Sequence, residues 1–352
     1  MRVLLTGHLG YIGTVLAPML LERGHDVVGL DSDLFRACTF LGSPVALPAI
    51  EKDVRDVTIE DVEGFDAVIH LAGLSNDPLG DYRPGLTDDI NRGGSVRLAE
   101  LAKAAGVERF LFASSCSNYG AAGNDFLTES AAFNPVTPYG QSKVDVERAV
   151  IKLADESFSP TFLRASTAYG LSPRIRFDLV VNNLAAWAFA TGEVRLKSDG
   201  MPWRPLVHVE DISAAYIAAL EADRDLVHGK AFNVGSTTEN YRIREVAEIV
   251  HDLLPESRIG FAPDAAPDIR NYRVDCGYIA RTLHGFKPQW TVRRGIEQLL
   301  SAYTEVGVTV TEFEGPKFRR IDHIRELIAR GQIAGDLRRI TVDKMVAETE
   351  RA

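Results

Sequence analysis

The stretch LLTGHLGYIG, from Leu4 to Gly13, decides the fold of this 352-residue chain. An apolar run ends in three glycines at GxxGxxG spacing, Gly7, Gly10 and Gly13, and a segment with helical apolar periodicity follows. This order predicts a strand, a tight turn and a helix. Glycine is needed there because the backbone takes angles closed to other residues and comes into contact with a pyrophosphate. The helix N-terminus offers N–H groups to the phosphates, so we predict dinucleotide binding.

Asp31 indicates which dinucleotide binds. It ends a second apolar run, at the distance where a carboxylate accepts both hydroxyls of the adenine ribose. The extra phosphate of NADP would meet like charge there, so we predict NAD as the cofactor. Asp53 follows a third strand-like segment, where an acid either accepts from the adenine amino group or simply lies at the surface. The run from Ala67 to Gly73 predicts a buried strand that ends in small residues, where bulk would obstruct the cofactor.

The alternation of strands and helices over the first half predicts an α/β fold, a Rossmann-type doubly wound parallel sheet covered on both faces. We expect the NAD-binding domain to span residues 1–170, with some later segments returning to it. Residues 171–304 contain loops rich in Arg, Pro and Trp and predict a smaller, mainly substrate-binding part. Residues 305–352 carry a charged amphipathic stretch without a strand signal and predict a helical C-terminal appendage.

Composition limits the partners and the compartment. The net charge of −10 argues against nucleic acid as a partner. No apolar run reaches the length that spans a membrane, so we expect no membrane partner and a cytoplasmic location. The cysteines, Cys38, Cys116 and Cys276, are widely spaced and lack metal-ligand spacing, which is typical of a reducing compartment and predicts no metal site.

Tyr139 and Lys143 stand four residues apart at the start of a predicted helix, so their side chains share one face. A phenol is a poor base near neutral pH, because its unperturbed pKa is about 10. A nearby ammonium and the positive nicotinamide ring both lower that pKa. Ser115 ends the preceding strand and is placed to hydrogen-bond the same substrate hydroxyl, so these three residues are the predicted catalytic set. The predicted cofactor-binding residues are Gly7, Leu9, Gly10, Tyr11, Ile12, Gly13, Asp31, Asp53, Val54, Leu71, Ala72, Gly73, Tyr139 and Lys143.

The chain resembles the extended short-chain dehydrogenase/reductase family, in particular its nucleotide-sugar epimerases and dehydratases, from residue 1 to about residue 304. The motifs that carry the resemblance are Thr6–Gly13, His70–Gly73, Asn91, Ser114–Gly120, Tyr139 with Lys143, and Arg204 with His208–Asp211. The resemblance implies that Tyr139 takes a proton from a sugar hydroxyl while NAD accepts the hydride. It implies that Lys143 binds the nicotinamide ribose. It also implies that Asn182, Arg204 and Arg270 lie along the nucleoside diphosphate of the substrate.

Two positions separate reactions within this family. The 4,6-dehydratases carry Asp and Glu directly after the catalytic Thr or Ser, whereas this chain has Cys116 and Ser117. A 4-epimerase needs neither acid, because the 4-keto sugar only turns over and takes the hydride back on its other face. We therefore predict an NAD-dependent nucleotide-sugar 4-epimerase. The alternatives are a dehydratase or multi-step sugar-modifying enzyme that uses the Cys116 thiol as an acid, a net oxidoreductase, and a non-catalytic dinucleotide-sensing protein.

The remaining predictions concern the substrate loop and the assembly. The loop after Gly73 carries Ser75 and Asn76, whose polar side chains reach the sugar or else cap a turn. The predicted substrate-binding residues are Ser75, Asn76, Ser115, Asn182, Arg204 and Arg270. The resemblance implies a homodimer, formed by the helices around residues 95–105 and 139–153 as a four-helix bundle. The apolar positions Val144, Val146, Val150, Ile151 and Leu153 fit burial against a partner, although a single wide core face explains them nearly as well.

Overall fold

The computed structural model describes residues 1–75, 82–263, 265 and 270–340. The strands in this part are β1 Arg2–Thr6, β2 Asp26–Asp31, β3 Ala49–Glu51, β4 Ala67–His70, β5 Arg109–Ser115, β6 Ala121–Leu127, β7 Ser159–Ala165, β8 Thr167–Tyr169, β9 Glu193–Leu196, β10 Trp203–His208, β11 Ala231–Val234, β12 Asn240–Arg242, β13 Arg258–Phe261 and β14 Asn271–Val274. The helices are α1 Gly13–Glu22, α2 Pro84–Thr87, α3 Ser95–Ala104, α4 Pro138–Val150, α5 Val180–Thr191, α6 Val209–Glu221, α7 Arg224–Val227, α8 Ile243–Leu253, α9 Gly277–Thr282, α10 Val292–Val306, α11 Val310–Phe313 and α12 Arg320–Ala329. A π-helical segment, Asp88–Gly94, joins α2 to α3.

Seven strands form a central parallel sheet in the spatial order β11-β7-β5-β4-β1-β2-β3. The chain runs outward from β1 to β2 and β3 in one direction, and from β4 through β5, β7 and β11 in the other. The order therefore reverses between β1 and β4, and ligands of such sheets bind at the carboxyl ends of the strands beside that point. This topology confirms the predicted doubly wound fold.

The turn between β1 and α1 requires glycine at two positions. Gly7 has a φ of +72°, and a Cβ there would lie 2.7 Å from the backbone nitrogen of Ala72. At Gly13 a Cβ would lie 2.3 Å from the carbonyl oxygen of Gly7. Larger side chains would overlap with backbone that has little freedom to move. The ends of β1 and β4 therefore meet the start of α1 in direct contact.

His8 lies in the same turn, and its ring requires a glycine at position 29. Its ring is buried against Gly29 of β2, where a Cβ would come within 2.5 Å of three ring atoms. Burial lowers the pKa of His8, and the carboxylates of Asp31 and Asp33 oppose that shift. The missing side chain at Gly29 thus makes room for an imidazole directly behind the predicted ribose ligand.

Gly29→Ala is expected to lower the free energy of unfolding by about 1–3 kcal/mol, because the new methyl group overlaps the His8 ring in a packed core. The same substitution made in a His8→Ala background is expected to cost almost nothing. Urea unfolding of the wild type, both single variants and the double variant measures this coupling. If Gly29→Ala is as stable as the wild type, the ring moves aside freely and the steric account is wrong.

Several segments beyond β7 form a smaller second part beside the cleft at the carboxyl ends of the large sheet. A three-stranded sheet has the order β12-β10-β8, and β9 pairs with β13 in parallel. Helices α5, α8 and α10 pack around an apolar core that includes Leu184, Val246 and Leu299. β11 crosses back to pair with β7, so a segment after residue 170 completes the large sheet.

The C-terminal segment, residues 307–340, is helical in part, as predicted, and it joins the two cores. Phe313 and Phe318 pack in the core of the second part. Ile324, Ile333 and Leu337 pack in a core of the large sheet. The segment therefore packs against both parts of the structure.

The apolar positions of α4 are buried within the single chain. Val144, Val146 and Val150 have almost no exposed surface, and Ile151 just after the helix is partly exposed. Arg148 on the outer side of the helix is exposed. A single wide core face therefore accounts for these three valines, whereas Ile151 is 39% exposed. Across the residues with assigned positions, no helix is long and apolar enough to cross a membrane.

Candidate active site

A cleft of about 680 Å³ lies between the carboxyl ends of the central strands and the second part. It brings together nearly all of the residues predicted to bind cofactor or substrate or to act in catalysis. The predicted residues that line it are Gly7, Leu9, Gly10, Tyr11, Ile12, Gly13, Asp31, Asp53, Val54, Leu71, Ala72, Gly73, Ser75, Ser115, Tyr139, Lys143, Arg204 and Arg270. Asn76 lies outside the described residues, and Cys116 and Asn182 are buried elsewhere.

Asp31 is held in a fixed orientation at the end of β2. Its carboxylate accepts from the backbone N–H of Leu9 at 3.0 Å and from that of Asp33 at 2.8 Å. Burial raises the pKa of Asp31, while these two hydrogen bonds stabilise the charged form and oppose the shift. The glycine turn and this carboxylate are thereby positioned side by side, as binding of an adenosine diphosphate requires.

Asp53 has a structural partner that the sequence pattern did not indicate. Its two carboxylate oxygens accept from the Arg55 guanidinium at 2.9 Å and 2.8 Å. Arg55 also donates to the carboxylate of Asp89 and to the carbonyl oxygen of Asp336 in the C-terminal segment. Asp53 thus lines the cleft as one member of an ion-pair network, and a contact with the adenine amino group remains a prediction.

Tyr139 and Lys143 are brought to the cleft by the first turns of α4. The helix begins at Pro138, and the Thr137 hydroxyl accepts from the backbone N–H of Gly140 at 3.1 Å. The ammonium of Lys143 lies 5.5 Å from the centroid of the Tyr139 ring and 4.6 Å from that of Phe112. The i, i+4 spacing therefore places the two side chains next to each other, as predicted.

Burial strongly affects the charge of Lys143. It lowers the pKa of the ammonium to about 8, and the carboxylate of Glu147 opposes this shift. Glu147 is itself bound by the Arg164 guanidinium at 2.6 Å. A buried ammonium stabilises negative charge that develops beside it, and Tyr139 is the nearby group that can carry such charge.

Ser115 is oriented by Ser117, a residue whose role sequence reasoning missed. The Oγ of Ser115 accepts from the backbone N–H of Ser117 at 3.1 Å and from its hydroxyl at 2.9 Å. Both bonds form because Ser115 caps the short 3₁₀ turn Cys116–Tyr119. With its acceptor positions taken, the Ser115 hydroxyl has its proton left to donate to a substrate oxygen.

The prediction that Cys116 could act as an acid at the substrate is wrong. Its side chain is fully buried in the apolar core, and its thiol donates to the carbonyl oxygen of Arg164 at 3.1 Å. Burial raises the pKa of this thiol to about 12. The 3₁₀ turn after β5 directs Cys116 away from the cleft that Ser115 and Ser117 line.

Asn182 is likewise corrected by the structure. It is completely buried, its Oδ1 accepts from the N–H of Gly170 at 2.9 Å, and its amide donates to the carbonyl oxygen of Arg176 at 3.0 Å. These bonds hold the loop after β8 in place. Asn182 therefore supports Arg176 rather than lying along the diphosphate.

Arginine side chains also line the cleft. Arg204 on β10 donates to the carbonyl oxygens of Trp203 and Arg270, which holds its guanidinium beside the Arg270 backbone. Arg176, which was not predicted, pairs with Asp178 at 2.6 Å and donates to the hydroxyl of Ser75 at 3.3 Å. The Arg-rich sequence of residues 172–176 was the feature that could have identified Arg176 as a cleft residue. Guanidinium groups placed in this way are suited to a diphosphate.

Comparison with known proteins decides the family. A family model matches residues 3–235, and its description is NAD dependent epimerase/dehydratase family. The chain belongs to this family. Membership confirms the predicted resemblance, the enzyme class and NAD as the cofactor inferred from Asp31. The cleft fits NAD, because the glycine turn leaves the backbone uncovered at the start of α1 and Asp31, the predicted ribose ligand, lines the same cleft.

Individual members with similar structures include both epimerases and dehydratases. The chain is 29% identical over 272 residues to a UDP-glucose 4-epimerase of Corynebacterium glutamicum, covering 72% of this chain and 80% of that protein. MoeE5 in complex with UDP-glucuronic acid and NAD has a TM-score of 0.75 and 26% identity, covering 87% of this chain and 99% of that one. DesIV, a dTDP-glucose 4,6-dehydratase from Streptomyces venezuelae, has a TM-score of 0.73 and 25% identity, covering 87% and 97%. The fold is thus shared, and the reaction must be argued from side chains.

Proposed function

We propose that this enzyme is a nucleotide-sugar 4-epimerase that acts through a transient 4-keto sugar. The observation that carries the proposal is the grouping of Ser115, Tyr139 and Lys143 at one cleft without the two acids of a 4,6-dehydratase. At those two positions Cys116 is turned into the core and Ser117 is bound to Ser115. Elimination of water therefore lacks its acid and its base, whereas epimerisation needs neither.

The proposed mechanism assigns one task to each side chain. Tyr139 takes the proton of the C4 hydroxyl, and Ser115 donates to the same oxygen to orient it. NAD, when bound, would supply the acceptor for the C4 hydride and the donor for its return. Lys143 stabilises the phenolate form of Tyr139 because its ammonium is buried beside the ring. After the sugar turns over, Tyr139 gives its proton back to the alkoxide that forms on the other face.

The proposed substrate is a uridine diphosphate sugar. The Corynebacterium relative is a UDP-glucose 4-epimerase, and MoeE5 was solved with UDP-glucuronic acid. We assign Arg204 and Arg270 to the diphosphate of this substrate, and Arg176, which contacts Ser75, lines the same cleft. These cations support a doubly charged substrate against the overall negative charge of the protein.

Proton NMR in deuterated water, with NAD and a panel of UDP-sugars that includes UDP-glucose and UDP-glucuronic acid, tests the proposal. The expected product is the 4-epimer without deuterium at any carbon, because the hydride leaves and returns without exchange with solvent. Deuterium at C3 or C5, or a deoxy-keto product, would instead indicate carbanion chemistry. Accumulation of NADH in step with product would indicate a net oxidoreductase.

We also propose that the enzyme is a homodimer, as the family resemblance implies, with α3 and α4 at the interface. Because the apolar residues of α4 are already buried, such an interface would be built from outer residues such as Gln141 and Arg148. Light scattering after size exclusion should give twice the chain mass of 38.6 kDa. A mass of one chain at micromolar concentration would refute the dimer.

A further inference from the structure

Arg320, at the start of α12, is a buried cation that lines the cleft. The side chain is 6% exposed, and its guanidinium lies 4.0 Å from the centroid of the Phe35 ring. One nitrogen, Nη2, donates to the carbonyl oxygen of Arg174 at 3.2 Å. Among the described residues, Nη1 has no hydrogen-bond partner and no carboxylate lies within ion-pair distance of the group.

Burial of the Arg320 charge without a carboxylate partner destabilises the protein when no ligand is bound. Burial lowers the pKa of Arg320 to about 10, which reflects a charge removed from water without a compensating carboxylate. The neighbouring arginines do have such partners, because Arg174 pairs with Asp33 and Arg176 pairs with Asp178. An anionic group bound in the cleft would give the free N–H of Arg320 its partner.

The contacts of the C-terminal segment show which half of the cleft Arg320 faces. Arg339 donates to the carbonyl oxygen of Ser32 at 2.9 Å, and His323 contacts that of Leu34 at 3.2 Å. Both carbonyls belong to the loop that directly follows Asp31, the predicted ribose ligand. Leu337 is buried beside them and lines the same cleft. Because this loop follows Asp31 and lines the same cleft as the glycine turn, we assign the anion that Arg320 would bind to the cofactor rather than to the sugar.

We propose that the C-terminal segment is part of the cofactor site, with Arg320 binding the diphosphate of NAD and Leu337 closing the adenosine end. The family match ends at residue 235, so this segment is an addition to the matched region. The segment packs in the core of the second part and in that of the large sheet, and its Arg320 and Leu337 line the cleft. The proposal rests on NAD binding alone and does not depend on the sugar reaction.

Arg320→Met tests the proposal, because methionine keeps apolar contact with Phe35 and removes the charge and the N–H groups. In the holoenzyme, exchange of bound NAD for labelled NAD is expected to become about tenfold faster or more. The dissociation constant of UDP, measured by calorimetry, is expected to change less than twofold. The matched control is Arg325→Met on the same helix, where the side chain is 58% exposed, pairs with Asp322 and does not line the cleft. It should leave both quantities unchanged.

Arg320→Lys distinguishes a charge effect from a packing effect. Lysine keeps the positive charge, so NAD exchange is expected to be slower than in Arg320→Met and faster than in the wild type. Equal exchange rates for the Lys and Met variants would overturn the assignment, as would NAD exchange within twofold of the wild type in Arg320→Met. Weaker UDP binding with unchanged NAD exchange would overturn it too, because the arginine would then serve the substrate diphosphate.

Discussion

Tyr139→Phe is expected to lower kcat by about 10³-fold or more, because the substitution removes the group that takes and returns the C4 proton. The ring stays in place, so NAD exchange and UDP affinity should remain within about twofold of the wild type. The pattern of lost turnover with retained binding is the signature of a group that acts in the transition state.

Epimerisation of the best UDP-sugar, followed by NMR, measures this effect. Tyr278→Phe is a matched control, because that ring is stacked on Phe232 at 5.1 Å and lies outside the cleft. The control should keep its turnover. Turnover near the wild-type value in Tyr139→Phe would remove Tyr139 from the proposed role and with it the proposed mechanism.

Lys143→Met is expected to lower kcat at pH 7 by about 10²-fold or more, since the buried ammonium no longer favours the phenolate. The loss of the ammonium also sets the direction in which kcat changes with pH. Without the cation the pKa of the Tyr139 phenol rises, so the base is protonated at neutral pH. The rate of the variant should therefore recover as the pH increases toward 10.

The pH dependence of kcat from pH 6 to 10 is the deciding measurement. Lys103→Met is the control, because its ammonium pairs with Asp155 at 2.5 Å beyond the C-terminal end of the Tyr139 helix and does not line the cleft. Its profile should match that of the wild type. A flat profile for Lys143→Met, at any level of activity, would show that the lysine does not act through the proton of Tyr139.

The predictions that succeeded rest on short-range geometry. The glycine turn, the strand that ends in Asp31, and the Tyr139 and Lys143 pair each depend on a few neighbouring residues, so their spacing in the sequence predicts their arrangement in space. The same holds for the order of strands and helices, because parallel strands need crossover helices. Most of the cofactor half of the cleft could be predicted for this reason.

The errors arose where tertiary packing sets the direction of a side chain. Cys116 follows Ser115 directly, but a 3₁₀ turn rotates it into the core, and a motif alone does not specify that rotation. Asn182 has both ends of its amide satisfied by backbone groups 6 and 12 residues away, in a loop whose path sequence patterns do not define. Arg320 lies in a stretch without any recognised motif, and only the folded chain brings it to Phe35.

The late position of several core residues has a consequence for biosynthesis. β11 supplies the edge of the large sheet only once residue 234 has been made, and Ile324, Ile333 and Leu337 complete its core later still. A nascent chain that ends before Leu337 therefore exposes apolar surface on a sheet whose first strands were translated long before. We expect such chains to bind chaperones or to aggregate on the ribosome, and folding to finish only after translation has almost ended.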